Sequence, residues 1–376
     1  MSLKTGLVFF TVVWVLLAGW AQAGPLFQFH HAQGTAIADE KNQPVFLRGV
    51  SFGNRVWVND RIPVTHHSAE DYSRVRAMGM NLVRFYLNYQ TLELDAAPFE
   101  YQADGWQWLD TNIAWARAQG VYLILNVHVP QGGFQSQGNG RKLWQDADLQ
   151  KRFIAMWRAI AERYRDEPVV FGYDLLNEPG VTRAKQQWQR LAQRTVDAIR
   201  LVDKKHPIIV ERVNSINRRW ENDADMNFVT VDGDNIIYTF HSYDPYFYSH
   251  QGIPWDASMK NRDGGVWPDP SRQHTRAFLA RTIDQYLAWG KAHNVPLYFG
   301  EWGTYKANFE AGRGGLNYLR DMLSVLEERK LTNTFHVYHE ESFGIYRGDG
   351  PLDPANVNQP VIDMFTTYLK PKHNES

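Results

Sequence analysis

The amino-acid sequence predicts a single α/β domain that folds as a closed (β/α)8 barrel, or TIM barrel, with extended loops at the carboxyl ends of its strands. Eight short segments rich in apolar and β-branched residues recur along the chain, and segments with helical periodicity separate several of them. This alternation indicates a parallel sheet built from strand–helix units. The 376 residues exceed the ~250 of a typical barrel, and we assign much of the excess to loops at 130–142 and 244–269.

The order of elements follows from these patterns. The predicted strands lie at 45–52, 81–86, 122–129, 169–176, 207–213, 236–243, 296–300 and 334–338. The predicted helices lie at 69–78, 106–119, 148–165, 184–202, 273–293 and 314–329. Ser68 followed by Asp71 indicates a cap at the start of the first helix, and Gly120 indicates the end of the second. We expect residues 24–44 to form a short β preamble that closes the bottom of the barrel.

The amino terminus is typical of an export signal. Lys4 precedes an apolar stretch at 7–17, and Ala21-Gln22-Ala23 offers a small-x-small cleavage site. We therefore expect a signal peptide at 1–23, a catalytic domain at 24–376, and a location in the periplasm or outside the cell. The alternative is an uncleaved anchor helix, but the apolar run falls slightly short of the ~20 residues that a membrane span needs. We expect no membrane contact after cleavage.

Composition excludes several classes of protein. Lys plus Arg is 40 and Asp plus Glu is 41, which argues against a nucleic-acid partner. The absence of cysteine excludes disulfides, thiolate zinc sites, iron–sulfur clusters and cysteine nucleophiles. We expect a monomer without cofactor or metal. The adjacent pairs His30-His31 and His66-His67 are expected to face solvent rather than bind an ion.

Polar and ionisable residues follow the predicted strands. In a barrel of this kind, the carboxyl ends of the strands meet at one face, where catalytic groups are found. The residues at these ends are Ser51, Arg84, His128, Asn177, Glu178, Glu211, His241, Ser242, Tyr243, Glu301, Tyr338 and His339. The set predicts an active site at this face.

Two glutamates, Glu178 and Glu301, each end an apolar strand, and a buried carboxylate without a purpose is costly. Glycoside hydrolysis needs such a pair, one protonated and one ionised. A nearby cation such as Arg84 could hold one of them ionised. The alternative is an Arg–Glu pair that only holds the barrel together.

The motifs at these strand ends resemble the cellulase family, glycoside hydrolase family five, over residues 47–346. The most specific stretch is 157–179, which ends in Asn177-Glu178-Pro179. The other matched motifs are Arg48-Gly49-Val50, Asn81-Leu82-Val83-Arg84, Val127-His128 and Gly300-Glu301-Trp302-Gly303. The resemblance implies a retaining glycosidase that needs no cofactor.

The resemblance also implies a role for each matched residue. Glu178 would be the general acid/base and Glu301 the nucleophile. Asn177 would bind the sugar 2-hydroxyl, and His128 another hydroxyl before the cleaved bond. Three further residues would act on the glutamates: Arg84 and Tyr243 would hold Glu301, and His241 would lie near Glu178.

One position departs from the family pattern, which usually has a tryptophan at the end of the eighth strand. Here the sequence reads Phe335-His336-Val337-Tyr338-His339. Tyr338 could replace the ring, or His339 could be the aligned residue. Trp302, which follows the nucleophile, is expected to contact sugar.

Two function classes remain at this point. The first is a secreted retaining β-glycoside hydrolase, most simply an endo-β-glucanase acting on a β-linked polysaccharide or oligosaccharide. Glucan, mannan and glycolipid substrates all occur among relatives of this fold, and the long loops fit either endo or exo action. The second class is a noncatalytic glycan-binding or exopolysaccharide-assembly accessory, which only the altered eighth strand favours.

Overall fold

The structure, a computed structural model, describes residues 27–58, 60–310 and 312–369. Eight parallel strands close into a barrel in chain order, with the last strand beside the first. The strands are β1 Arg48–Phe52, β2 Leu82–Asn88, β3 Tyr122–Val129, β4 Val170–Asp174, β5 Ile208–Glu211, β6 Ile236–His241, β7 Leu297–Trp302 and β8 Asn333–Phe335. The predicted fold class is therefore confirmed.

Helices surround this barrel. The longer ones are α1 Ala69–Ala77, α2 Ala103–Gln119, α3 Ala147–Tyr164, α4 Gln186–Arg200, α5 Arg276–His293, α6 Gly315–Arg329 and α7 Gln359–Leu369. The six predicted helices are all found, and α7 is an additional one. Residues 212–235, which connect β5 to β6, form turns and the two-residue strand Ser215–Ile216 instead of a helix.

The helix ends follow the local signals in the sequence. At the start of α1, the backbone N–H of Ser68 donates to Asp71 Oδ2 at 2.7 Å, which completes a capping box. Gly120 ends α2 with a φ of 69°, a left-handed conformation that glycine adopts at low cost.

The bottom of the barrel is apolar and closed. A hairpin pairs His31–Gln33 with Ala36–Ala38, and Ile37 packs into a buried cluster inside the barrel. The other members of that cluster are Leu47, Leu82, Ile124, Phe171, Ile209, Ile237 and Tyr298. The expected β preamble is present in residues 27–44. The apolar cluster fills this end of the barrel, and the polar residues at the strand ends lie at the opposite face.

The predicted signal peptide at 1–23 lies outside the residues that the structure describes. Among the residues that the structure describes, no helix is long and apolar enough to cross a membrane.

Candidate active site

Four strands, β2, β5, β6 and β7, bring charged side chains together at one face of the barrel. Arg84, Glu211, His241 and Glu301 come from these four strands, and Glu178 follows β4 by four residues. All but Glu178 are at least nine-tenths buried. The predicted candidates from distant parts of the sequence thus lie in one cluster.

Glu301 is held by three donors. Arg84 Nη1 donates to its Oε1 at 2.5 Å, and the Tyr86 hydroxyl donates to the same oxygen at 2.6 Å. The Tyr243 hydroxyl donates to Oε2 at 2.7 Å. Charge-assisted hydrogen bonds of this kind fix a carboxylate in one orientation.

The surroundings of Glu301 favour its ionised form. Burial disfavours the charge on this carboxyl, but electrostatic interactions with His241, His336 and Arg84 outweigh burial and hold its pKa well below the usual value. Glu301 is therefore a carboxylate at neutral pH, which is the form that a nucleophile requires.

Glu178 lies in a different environment. Its backbone has a φ of 45°, a left-handed conformation that costs a non-glycine residue on the order of 1 kcal/mol. The Glu178 N–H donates to Glu211 Oε2 at 2.9 Å, which stabilises this turn. Its side chain remains 17% exposed, and its Oε1 lies 3.2 Å from His241 Nδ1. Of the two glutamates, Glu178 is the more accessible to solvent.

Arg84 connects several strands inside the barrel. It is fully buried, and its Nε donates to Asp174 Oδ2 at 2.7 Å. Its Nη2 donates to Asn177 Oδ1 at 3.1 Å and lies 3.9 Å from Glu211 Oε2. The guanidinium is thus directed at Glu301, and its contacts do not include Glu178.

His241 lies between three carboxyl groups. Its Nδ1 is 3.4 Å from Glu211 Oε1 and 3.6 Å from Glu301 Oε2, in addition to its contact with Glu178. Burial opposes its charge, but the carboxyl groups around it outweigh burial and raise the pKa of His241. Burial raises the pKa of Glu211 to about 8, so Glu211 is largely protonated at neutral pH. The site therefore holds both ionised and neutral carboxyl groups.

A comparison with protein families identifies this arrangement. The model of Cellulase (glycosyl hydrolase family 5) matches residues 38–342. The chain belongs to this cellulase family, and it is a glycoside hydrolase.

Individual relatives agree with this assignment. Endoglucanase C of Acetivibrio thermocellus is 27% identical in an alignment of 321 positions that covers 78% of this chain and 90% of the relative. A beta-xylosidase of Phanerodontia chrysosporium is 24% identical in an alignment of 400 positions that covers 90% of this chain and 75% of the relative. The structure of Thermotoga maritima Cel5A in complex with cellobiose matches with a TM-score of 0.70 at 22% identity, over 85% of this chain and 97% of that one, and shows the shared fold.

Two further predicted residues of this cellulase-family chain line the same cluster. His128 stacks on Tyr86 with ring centroids 3.9 Å apart, and its Nδ1 lies 3.1 Å from Asn126 Oδ1. Burial holds the pKa of His128 well below the usual value, so the ring is neutral. Asn177 Nδ2 donates to Ser136 Oγ at 3.2 Å.

The sequence analysis missed Tyr86 and His336, which both lie beside Glu301. The Tyr86 hydroxyl lies 3.1 Å from His336 Nδ1, and His336 Nδ1 lies 3.9 Å from Glu301 Oε2. Alternation along a strand could have indicated Tyr86, because residues two apart face the same side and Arg84 was already a candidate. His336 directly follows the last residue of β8, so it occupies the strand-end position assigned to Tyr338 or His339.

The structure does not bring Tyr338 or Trp302 to the site, which corrects both predictions. Since β8 ends three residues before Tyr338, this residue is not at the strand end. Its side chain is fully buried, and its hydroxyl donates to Asp71 at 2.8 Å. Trp302 is also buried, and its Nε1 donates to Asn333 Oδ1 at 3.0 Å. As the neighbour of Glu301 in one strand, Trp302 faces the opposite side of the sheet.

The expectation that the histidine pairs face solvent is also wrong. His30, His66 and His67 are buried, with exposed fractions of 3%, 1% and 6%, and only His31 of the four is half-exposed. His30 packs against Tyr122 and Phe171, and His67 packs against Phe52, so the polar composition of the neighbouring sequence was misleading.

Proposed function

We propose that the chain is an exported, retaining endo-β-glucanase in which Glu301 is the nucleophile and Glu178 the general acid/base. One observation carries the proposal: a carboxylate oxygen of Glu178 and one of Glu301 lie within 4.8 Å of each other. Retaining enzymes have carboxyl groups ~5–5.5 Å apart, whereas inverting enzymes need ~6.5–9.5 Å to fit a water molecule.

The two roles follow from the two environments. Glu301 is ionised and fixed by Arg84, Tyr86 and Tyr243, so it attacks the anomeric carbon and forms a glycosyl–enzyme intermediate. Glu178 is more accessible, so it protonates the leaving oxygen and then takes a proton from the incoming water. His241 lies beside both carboxyl groups and balances their charge through both steps.

We assign the substrate class from the names of the relatives. Endoglucanases of Acetivibrio thermocellus and of Paenibacillus polymyxa, the latter 26% identical in an alignment that covers 93% of this chain, favour a β-glucan. The beta-xylosidase makes xylan the natural comparison substrate. Asn177 and His128 would bind hydroxyl groups of the reacting sugars.

Reducing-sugar release from soluble β-glucans, β-mannans and xylan tests the reaction. Wild type is compared with Glu178→Gln, Glu301→Gln and the exposed control Glu221→Gln. We expect one β-glucan to be cut, a loss of at least ~100-fold in both site variants, and wild-type rates in the control. An inactive wild type that still binds one polymer would overturn the proposal in favour of the accessory role.

An aryl β-cellobioside with an acidic leaving group separates the two roles. Its departure needs no protonation, so Glu178→Gln should still release one equivalent of phenol rapidly and then stall at the glycosyl–enzyme. Glu301→Gln should release none, because no bond to the anomeric carbon can form. The reverse pattern would exchange the two assignments.

Export is proposed on the sequence alone, from Lys4, the apolar stretch at 7–17 and the Ala21-Gln22-Ala23 site. Expression of the full chain in a bacterial host followed by mass measurement tests it. We expect a periplasmic or secreted product that lacks residues 1–23. A full-length product in the membrane fraction would favour the anchor helix.

A further inference from the structure

A cavity of about 490 Å³ lies between the loops that follow β3 and β4, and two arginines line it. Arg141 begins the short helix Arg141–Trp144 in the loop after β3, and Arg183 follows the two-residue strand Gly180–Val181. The remaining lining residues are Trp144, Gln145 and Thr182. The volume is within the range of ~300–1,000 Å³ that is typical of sites for small ligands.

The cavity is close to Glu178 along the chain. Arg183 is five residues after Glu178, so the Cα atoms of the two residues are at most ~18 Å apart even if the chain between them is fully extended. In the proposed mechanism Glu178 protonates the leaving oxygen, so the departing part of the glycan lies next to this residue. A substituent on that part can therefore reach the cavity from within a few sugar units of the cleaved bond.

Two glutamine side chains hold the wall of the cavity in place. Gln135 is fully buried, and its Oε1 accepts from Trp144 Nε1 at 2.8 Å. Gln187 Oε1 accepts from the Arg183 N–H at 2.7 Å, and Gln187 Nε2 donates to the Trp144 carbonyl oxygen at 3.4 Å. The two loops are thus joined to each other before any ligand binds, which lowers the entropic cost of binding.

Neither arginine of the cavity has an acidic partner among the residues that the structure describes. Arg141 Nη1 lies 3.4 Å from Asn217 Oδ1, which is an uncharged amide oxygen. Asp223 and Asp225, two acidic residues of the segment after β5, lie instead 2.7 and 2.8 Å from Lys185 Nζ. An anion that enters the cavity therefore meets two guanidinium groups whose charges are not already paired.

Further basic side chains lie on the same loop and on the segment after β5. Lys142 is next to Arg141, and Arg218 and Arg219 follow the strand Ser215–Ile216, which pairs with Gly180–Val181. All three of these basic residues are exposed. The formal charge of the whole chain is only −1, so the positive charge is a local property of these loops.

We propose that Arg141 and Arg183 bind an anionic group of the glycan, a carboxylate or a phosphate ester, on the leaving-group side of the cleaved bond. This site rests on the proposed hydrolase function and narrows its substrate class to acidic β-glycans. Guanidinium groups bind carboxylates and phosphates through paired, charge-assisted hydrogen bonds. A neutral glycan leaves both arginines without such a partner, so we expect it to bind more weakly.

Substrates that share one backbone test this site. Carboxymethyl and phosphorylated β-glucans are compared with the neutral hydroxyethyl β-glucan at an equal degree of substitution. We expect wild type to have a kcat/KM higher by ~10-fold or more on an anionic polymer, mainly through a lower KM. This preference should decrease as the salt concentration rises. The anionic polymer with the higher kcat/KM identifies carboxylate or phosphate as the group that is bound.

The variants are compared by the ratio of kcat/KM on the anionic polymer to that on the neutral polymer, because a folding defect lowers both values alike. Arg141→Gln and Arg183→Gln should each lose most of the preference, and Arg183→Lys should keep part of it. The control Arg281→Gln removes an exposed arginine of α5 and should match wild type. A wild type without preference, or an unchanged preference in both glutamine variants, would overturn the anion site.

A binding measurement separates the anion site from the hydrolase function. Calorimetry with Glu301→Gln and carboxymethyl or neutral β-glucan oligosaccharides needs no turnover. If wild type cuts no polymer, but Glu301→Gln binds the anionic oligosaccharide more tightly and loses this difference when Arg141→Gln is added, the anion site stands and the hydrolase function fails. Equal kcat/KM values on neutral and anionic polymers would instead overturn the anion site and leave the hydrolase function intact.

Discussion

Single residues decide how two chemically identical glutamates come to differ. Glu301 is surrounded by donors from Arg84, Tyr86 and Tyr243. Glu178 instead has its N–H bonded to Glu211, a carboxyl that burial keeps largely protonated. Ionised and neutral groups within one small space are the requirement for acid/base and nucleophilic catalysis by paired carboxyls.

The raised pKa of Glu211 predicts a pH dependence of stability. Its folded-state pKa of about 8 lies above the ordinary value of 4.5. Between these values the folded chain keeps a proton that the unfolded chain has lost. The contribution of Glu211 to the free energy of unfolding is therefore greatest below pH 4.5 and decreases as the pH rises towards 8. Glu211→Gln is neutral throughout and should lack this decline.

Denaturant unfolding at pH 5 and pH 8 measures the difference. Between these pH values, wild type should lose on the order of a few kcal/mol more of its unfolding free energy than Glu211→Gln. The exposed variant Glu221→Gln should follow wild type. Equal declines in wild type and Glu211→Gln would mean that Glu211 is ionised in the folded state.

The sequence could predict the residues whose signal is local. Glu178 and Glu301 follow or end apolar segments, Arg84 lies within one, and a parallel barrel gathers the carboxyl ends of its strands at one face. Tyr338 and Trp302 were misplaced for a physical reason: both are apolar enough to be buried, and burial away from the site satisfies them equally well. His339 was predicted at a strand end but lies four residues beyond β8, where its ring stacks on His66 with centroids 4.2 Å apart.

The sequence predicted the presence and order of the strands more accurately than the residues at which they end. The apolar run of β8 continues in Val337 and Tyr338, which are buried but lie beyond the last residue of the strand. An apolar segment in a buried loop has the same composition as a strand, so sequence cannot separate them. The connection from β5 to β6 lacks a helix, as the sequence analysis had also found no helical pattern there.

The packing of β6 against β7 predicts the effect of one added methyl group. A Cβ on Gly300 would lie 2.7 Å from His241 Nε2 and 2.8 Å from Thr239 Oγ1. Gly300→Ala should therefore displace His241 and destabilise the chain by ~1–3 kcal/mol. Because a shift of about 1 Å at a catalytic site can cost ~100-fold, kcat/KM should fall by about 10–100-fold.

Steady-state kinetics and thermal unfolding check this expectation. The matched control is Gly350→Ala, since a Cβ there meets nothing within 4 Å. We expect the control to match wild type in both measurements. Full activity in Gly300→Ala would show that the position of His241 is not critical for the reaction.

The whole molecule separates its two ends by polarity. The hairpin and the apolar cluster around Ile37 close one end of the barrel. The other end carries a buried charge network that connects β2, β4 and β7 through Arg84, Asp174 and Glu301. The apolar end stabilises the barrel, and the stability it supplies allows the charged end to keep groups that are costly to bury.

The charge network predicts how stability responds when its one buried arginine is removed. In Arg84→Met, Asp174 and Glu301 remain buried without this cation, which costs about 3–5 kcal/mol at pH 7. Without Arg84 the pKa of Glu301 must rise, so the variant takes up protons on acidification that wild type does not. The deficit in unfolding free energy should therefore shrink between pH 7 and pH 4.

In the control Arg48→Met, the lost pair with Glu327 has side chains 29% and 28% exposed, so the deficit should be about 0–1 kcal/mol and change little with pH. A deficit in Arg84→Met that stayed constant with pH would mean that lost packing, rather than uncompensated charge, destabilises the barrel.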